Sequence, residues 1–390
     1  MTSGPGWQFR LLLLHTLLVQ TVTFVVRPTT SYRALELGVP GEALGGLSAA
    51  FALVPLLLAL GVGRVTDRWG ERVVILLGGV GLCGATVLLL TSSGLTGLVI
   101  GTALLGLGHL LSMVGEQALV ANTSTDARRD SRFGHYTFAA SAGQVAGPGL
   151  ISLFDASSAV PDTDALFTAA CVLALVGVLL GLALRRSRAA VPEPADRTSG
   201  GARRLLRTPG LLRALLASSV VLAAVDISLA YFPALGQERG FSAALVSLLL
   251  AVRAAASMVS RLFLGRLAAS VGRRRLLLVS VTGSGLTVAA LALPLPVPLV
   301  LVVVTVAGLV LGVGQPLTMS WVAGTAPPRL RGTAMSLRIT GNRLGQVTIP
   351  AVAGLAAGLG TGGVFLTTGC LLLAVALAVR RLPMEDDPSS

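Results

Sequence analysis

The chain holds 390 residues, of which 53% are hydrophobic and only 12% charged, about half the roughly 25% that a soluble domain carries. A mean hydropathy of +0.82 excludes a fold that faces water on all sides. The net charge of +13 comes from 30 basic residues, all of them Arg, and their placement at alternate turns excludes a nucleic-acid surface.

Twelve apolar runs follow one another, at about 9–26, 43–64, 73–91, 95–121, 136–154, 165–184, 213–235, 243–264, 276–293, 297–322, 337–359 and 362–379. Each suffices to cross a hydrocarbon layer about 30 Å thick as a helix, and in lipid the backbone must bond to itself. The chain therefore reads as an all-α membrane protein with twelve transmembrane helices. The first run follows Arg10, as in a signal peptide, but it ends on Arg27-Pro28 without a small-residue cleavage site. It is expected to be a retained span.

Arg64, Arg68 and Arg72, then Arg128, Arg129 and Arg132, then Arg266, Arg273, Arg274 and Arg275 mark turns on one side. The opposite turns hold Arg27, Arg33 and Arg239, and Arg253, Arg261 and Arg343 lie within spans, which leaves 24 of the 30 on the first side and its margins. Positive-inside insertion produces this alternation and puts both termini in the cytoplasm; a bacterial plasma membrane is the expected location. Cys83, Cys171 and Cys370 lie within spans three, six and twelve, where small apolar packing is their expected role. The acidic tail at Glu385, Asp386 and Asp387 reads as a solvated end.

Between spans two and three the sequence reads GRVTDRWGER from Gly63 to Arg72; after span eight it reads GRLAASVGRR from Gly265 to Arg274. The 202-residue step between them recurs: Glu36 and Gly38 return as Glu238 and Gly240, Gly106 as Gly308, Gly143-Gln144-Val145 as Gly345-Gln346-Val347, and Pro148 as Pro350. A constant offset implies two six-span halves of equal topology, related by an axis along the membrane normal. The expected organisation is an N-terminal bundle at 1–184, a cytoplasmic linker at 185–212 rich in Arg, Pro and Gly, a C-terminal bundle at 213–381, and a tail at 382–390.

Over nearly its full length the chain resembles the major facilitator superfamily. The first turn resembles the family signature between spans two and three, filled here by Gly63, Asp67, Arg68, Gly70 and Arg72. The resemblance implies two six-helix bundles around a central path that work by alternating access. Gly63 and Gly70 suit a tight inner turn. Asp67 is expected to latch the inner side by facing helix N-terminal dipoles or Arg side chains of the opposite half, with Arg68 and Arg72 holding its carboxylate. The second copy keeps Gly265 and Gly272 but has Ala269-Ser270 for Asp-Arg; the expectation is that a latch needs its anion on one surface only. Topology alone is an equal reading for Arg72.

Gly134, Gly143 and Gly147-Pro148 in span five resemble the antiporter motif of the superfamily's drug exporters, although Ile151-Ser152 stand where its last glycine pair belongs. Such spacing lets helices approach closely, and Pro148 weakens the ladder one turn back. In span four, Gly106-Leu107-Gly108 matches the end of an exporter motif whose Arg position is Thr102 here.

The other candidates are ionisable or polar groups at membrane depth, each costly unless paired or wet. His109 and Glu116 lie two turns apart on one face of span four, where Glu116 can carry a proton and His109 relay it. Core packing, or a partner in Arg128, are the bland readings. Asp226 of span seven and Arg253 of span eight are expected at similar depth as an ion pair, either coupling or structural. Gln20, Thr23, Arg27, Tyr231, Gln315, Met319, Trp321, Asn342, Arg343 and Gln346 complete the candidate path.

The sequence thus reads as a secondary transporter, expected to exchange protons for small organic molecules on the way out. An importer of a sugar, organic acid or other nutrient is the alternative. No Walker loop is present, since the chain has no Lys, and no paired acidic motif of a membrane-embedded transferase appears. No cofactor, metal or nucleic acid is expected; the partners are cargo, protons and lipid, and the working unit is expected to be a monomer.

Overall fold

A computed structural model describes residues 6–38, 41–154, 162–185, 205–208, 210–241, 243–354 and 360–380. Most of the 185–212 linker and all of the 382–390 tail lie outside these residues.

The described residues form thirteen α-helices and one short 3-10 turn, Pro328–Leu330. The first six are α1 (Gly6–Glu36), α2 (Gly41–Trp69), α3 (Glu71–Thr91), α4 (Leu95–Thr123), α5 (Asp126–Phe154) and α6 (Thr163–Ala183). The rest are α7 (Leu211–Glu238), α8 (Ala243–Leu262), α9 (Leu264–Val271), α10 (Arg273–Ala290), α11 (Val297–Thr325), α12 (Arg331–Gly354) and α13 (Gly360–Arg380). Helices α8 and α9 meet at Phe263 with a 64° bend and together take the place of span eight. Seven helices, or eight with this bent pair, are long and apolar enough to cross a membrane among the described residues.

Several helices outrun their apolar cores. Helix α1 ends at Glu36 rather than 26 and carries Pro28 inside it, α5 starts at Asp126 rather than 136, and α12 starts at Arg331 rather than 337. Hydropathy registers only the part in hydrocarbon, whereas a helix continues until a cap or breaker stops it. Glycine does so at two corresponding turns: Gly70 has φ +88° between α2 and α3, and Gly272 has φ +82° between α9 and α10.

Two compact units result. One comprises 1–125, 138–199 and 327–337; the other comprises 126–137, 200–326 and 338–390. Their internal pairings correspond. In the first, α1 packs on α4 and α6, and α3 on α4 and α6; in the second, α7 packs on α11 and α13, and α10 on α11 and α13. Likewise α2 packs on α4 and α8 on α11. This is the all-α architecture of two pseudo-symmetric six-helix bundles.

Lipid supplies no hydrophobic drive between helices, so close contact relies on small residues and hydrogen bonds. A Cβ on Gly108 of α4 would lie 2.8 Å from Leu82 N of α3; at the corresponding seam, Ser280 Oγ of α10 donates to the Val310 carbonyl of α11 at 2.7 Å. The repeated Glu36 and Glu238 also have one task. Glu36 accepts from the Thr163 hydroxyl at the start of α6, and Glu238 accepts from the N–H and hydroxyl of Thr361 at the start of α13. The opposite face of α6 exposes Val172, Leu175, Leu179 and Leu182, a stripe suited to lipid. Cys83 packs against the N-terminal core, while Cys370 is exposed rather than packed.

Candidate functional site

At the end of α2, Asp67 meets the first turn of α12. Its Oδ1 accepts from Gly332 N–H at 2.7 Å, and its Oδ2 from the N–H and hydroxyl of Thr333 at 2.8 and 2.6 Å. These are the orphan donors of a helix N-terminus, where the dipole also favours an anion. The expected acceptor role is thus realised by backbone and hydroxyl donors rather than by Arg. Arg68 is exposed, and Arg72 instead donates to the Leu182 carbonyl at the end of α6, at 2.6 Å. Gly63 makes the approach possible, because a Cβ there would lie 2.8 Å from the Gly332 carbonyl oxygen. Burial pushes the Asp67 carboxyl up to about 6, outweighing the hydrogen bonds from Thr333 and Gly332. Beside it, Arg331 donates to the Ala121 carbonyl and to Asn122 at the end of α4, and Asn122 donates to Glu71.

The second copy of the turn has no acid of its own, and the helix that faces it supplies one. Gly265 packs against Ser131 at the start of α5. One residue earlier, Asp130 accepts from Arg273 Nε at 2.6 Å and from the Ser320 hydroxyl, while Arg273 also donates to the Asp126 carbonyl at 2.5 Å. Asp130 lies 202 residues before Gly332, the residue whose N–H meets Asp67. The carboxylate missing at Ala269 therefore reappears on the partner helix.

The glycines of α5 serve close packing. A Cβ on Gly143 would lie 2.7 Å from Gln20 Cβ, and one on Gly147 would lie 2.7 Å from Phe24 Cβ, both on α1. Gly134 instead packs against Arg261 and Leu264. Pro148 lies in α5, one residue beyond this seam.

The two ionisable groups of α4 each have their own partner on α1. Glu116 Oε1 is 2.6 Å from His15 Nδ1, with both side chains fully buried. His109 Nδ1 is 3.0 Å from the Thr23 hydroxyl, and its ring tilts over Phe51, which Arg27 covers at 4.5 Å. Sequence reasoning does not single out His15. A signal exists, since the antiparallel register that sets Thr23 against His109 sets the residue eight earlier on α1 against Glu116, one heptad on.

In the C-terminal half, Gln346 Nε2 donates to Asp226 at 2.6 Å and Gln346 Oε1 accepts from Arg343 at 3.1 Å. Arg253 is buried and an electrostatic neighbour of Asp226; the expected pair is therefore part of a larger cluster. Ser219 donates to Asn342 at 3.5 Å. Tyr231 and Trp321 are partly buried against the core of this half, and Gln315 is half-buried. Arg338 also escapes sequence reasoning: it is 1% exposed and donates to the Ser218 hydroxyl at 3.1 Å.

Comparison with known proteins agrees with this architecture. The chain is 28% identical over 170 residues to multidrug resistance protein 1 of Bacillus subtilis (strain 168), covering 43% of this chain and 42% of that protein. It is 25% identical over 126 residues to the quinolone resistance protein NorA of Staphylococcus aureus (strain MRSA252), covering 32% of each. The matched stretches thus span less than half of these relatives. Among solved structures, the human organic anion transporter MFSD10 superposes with a TM-score of 0.80 at 18% identity, covering 96% of this chain and 99% of that one. The E. coli fucose:proton symporter FucP gives 0.82 at 13% identity, covering 95% and 97%. At these identities the likeness establishes the fold alone. The family profile described as Major Facilitator Superfamily matches residues 12–238 and 214–390, and the chain belongs to that superfamily of membrane transporters.

Proposed function

We propose that the chain exports small organic molecules, drugs among them, in exchange for protons by alternating access, as a monomer in a bacterial plasma membrane with both termini in the cytoplasm. The observation that carries this reading is the glycine seam of α5 on α1, where Gly143 and Gly147 leave no room for a Cβ, on the spacing that resembles the exporter motif. The names of the partial relatives, one a multidrug and one a quinolone resistance protein, favour the same direction.

In this reading residues 1–184 and 213–381 rock about the 185–212 linker, and the contact of Asp67 with the start of α12 is a latch broken once per cycle. Glu116 takes up and releases the proton with His15 beside it and His109 further along α4. Asp226 with Arg253 supplies a second titratable locus, and a buried ionisable group at membrane depth is by default functional. Gln20, Thr23, Arg27, Tyr231, Gln315, Trp321, Asn342 and Arg343 line the path. The cargo leaves unaltered, without cofactor chemistry. A nutrient importer is the second reading, favoured by Thr102 at the place of the exporter Arg.

Inside-out vesicles acidified within supply the test. Dyes and a quinolone should accumulate inside and leave when a protonophore is added. Accumulation that needs the opposite gradient supports import, and flux indifferent to any gradient removes proton coupling.

A further inference from the structure

The spans hold more positive than negative charge. Of the 17 acids in the sequence, only Glu116 and Asp226 fall inside the twelve apolar runs, against Arg253, Arg261 and Arg343 clear of the run margins. Glu116 is engaged by His15 in the N-terminal half. Within its apolar runs the C-terminal half therefore has three guanidiniums and one carboxylate; the buried Asp130 of the same unit is paired with Arg273. An Arg at membrane depth is costly unless paired or facing water, so the geometry around Asp226 and Arg253 calls for an explanation.

Two of these cations surround the one acid. Arg343 reaches Asp226 through Gln346. Arg253 is 6% exposed and its Nε–H has no acceptor among the described residues. Alongside, on the same two helices, Ile227 and Tyr231 of α7 pack with Ile349 of α12. A charged locus with the buried Nε–H donor of Arg253 left over thus adjoins an apolar and aromatic one, the layout of a site for an amphiphile with one anionic end. Guanidinium suits a carboxylate or sulfonate, which it meets through parallel N–H bonds.

We propose that Arg253 and Arg343 form a cargo subsite for an organic anion, whose carboxylate or sulfonate they bind while its apolar body rests on Tyr231 and Ile349. Asp226 is the resident counter-ion with which the cargo competes. The inference rests on the transport reading and names its cargo class; it does not depend on direction or coupling.

The test is equilibrium binding to the purified full chain in detergent, by fluorescence anisotropy of carboxyfluorescein and of ethidium, probes of opposite charge. Carboxyfluorescein should bind and be displaced by 1-naphthoate, with ethidium a poor competitor. Arg253→Gln and Arg343→Gln should each weaken it tenfold or more, with partial recovery in Arg253→Lys. Asp226→Asn should tighten it several-fold, a change of sign that loss of packing does not produce. Preference for ethidium, or weaker anion binding in Asp226→Asn, overturns the proposal. Anion binding without outward movement in vesicles would sink export and leave the subsite standing; ethidium export without anion binding would do the reverse.

Discussion

Asp130 at the start of α5 and Arg273 at the start of α10 meet at 2.6 Å and form the counterpart, with polarity exchanged, of the contact between Asp67 and the start of α12. At the first turn the acid sits on the turn and the helix supplies N–H donors; at the second the helix supplies the acid and the turn supplies the cation. Position 71, a Glu in the first copy, is Arg273 in the second, and Gly332, the neutral donor of the first contact, corresponds to the acid Asp130 of the second.

That exchange predicts an asymmetric mutant cycle. Asp130 is 7% exposed and Arg273 40%, so Asp130→Ala strands a buried Ser320 hydroxyl along with Arg273, whereas Arg273→Ala leaves an acid still bonded to Ser320. Thermal unfolding in detergent should rank Asp130→Ala as the costlier by about 1 kcal/mol, with a coupling energy on the order of 1 kcal/mol for a half-exposed pair. Equal single costs and no coupling would mean that the pair carries no energy.

His15 and Glu116 allow a sharper comparison, because both are fully buried. Removing one member of such a pair strands the other, while removing both strands neither. His15→Leu should therefore destabilise by several kcal/mol, and His15→Leu with Glu116→Leu by less. Either single change should also abolish accumulation driven by a pH gradient. A double variant less stable than both singles would show that the pair acts through packing alone.

The seam of α5 on α1 carries its own control. Ala at Gly143 or Gly147 would force backbone apart, as overpacking that costs about 1–3 kcal/mol does, and transport should fall. A methyl on Gly149 would find nothing within 4 Å, so Gly149→Ala should leave transport intact. Equal effects at all three positions would point to helix propensity rather than to the seam.

What can be read from the sequence follows from how each signal is written. The bundles are legible because lipid imposes long apolar runs and because the 202-residue step survives without insertion. Helix ends are not, since the first turns of α5 and α12 are polar and look like loops to hydropathy. Asp130 is hidden because the offset maps it onto Gly332, and only folding shows that this glycine contributes its N–H to Asp67. Arg338 reads in sequence as an inner-margin charge; its burial follows from the start of α12 at Arg331, which sets it two turns inside the helix.

The Asp67 contact should respond to pH with a definite sign. Burial raises its carboxyl from 3.8 to about 6, with Glu71 adding to the rise. A group whose pKa is raised contributes fully below the ordinary value, and its contribution is lost as pH rises through about 6. The contact should therefore tighten as pH falls from 7.5 to 5. Ser336 lies buried under Gly63 and reports on it: in a background without the three native Cys, alkylation of Ser336→Cys should slow severalfold over that interval. Asp67→Asn should flatten the response, since an amide does not titrate. Faster labelling at pH 5, or an unchanged slope in Asp67→Asn, would place the titrating group elsewhere.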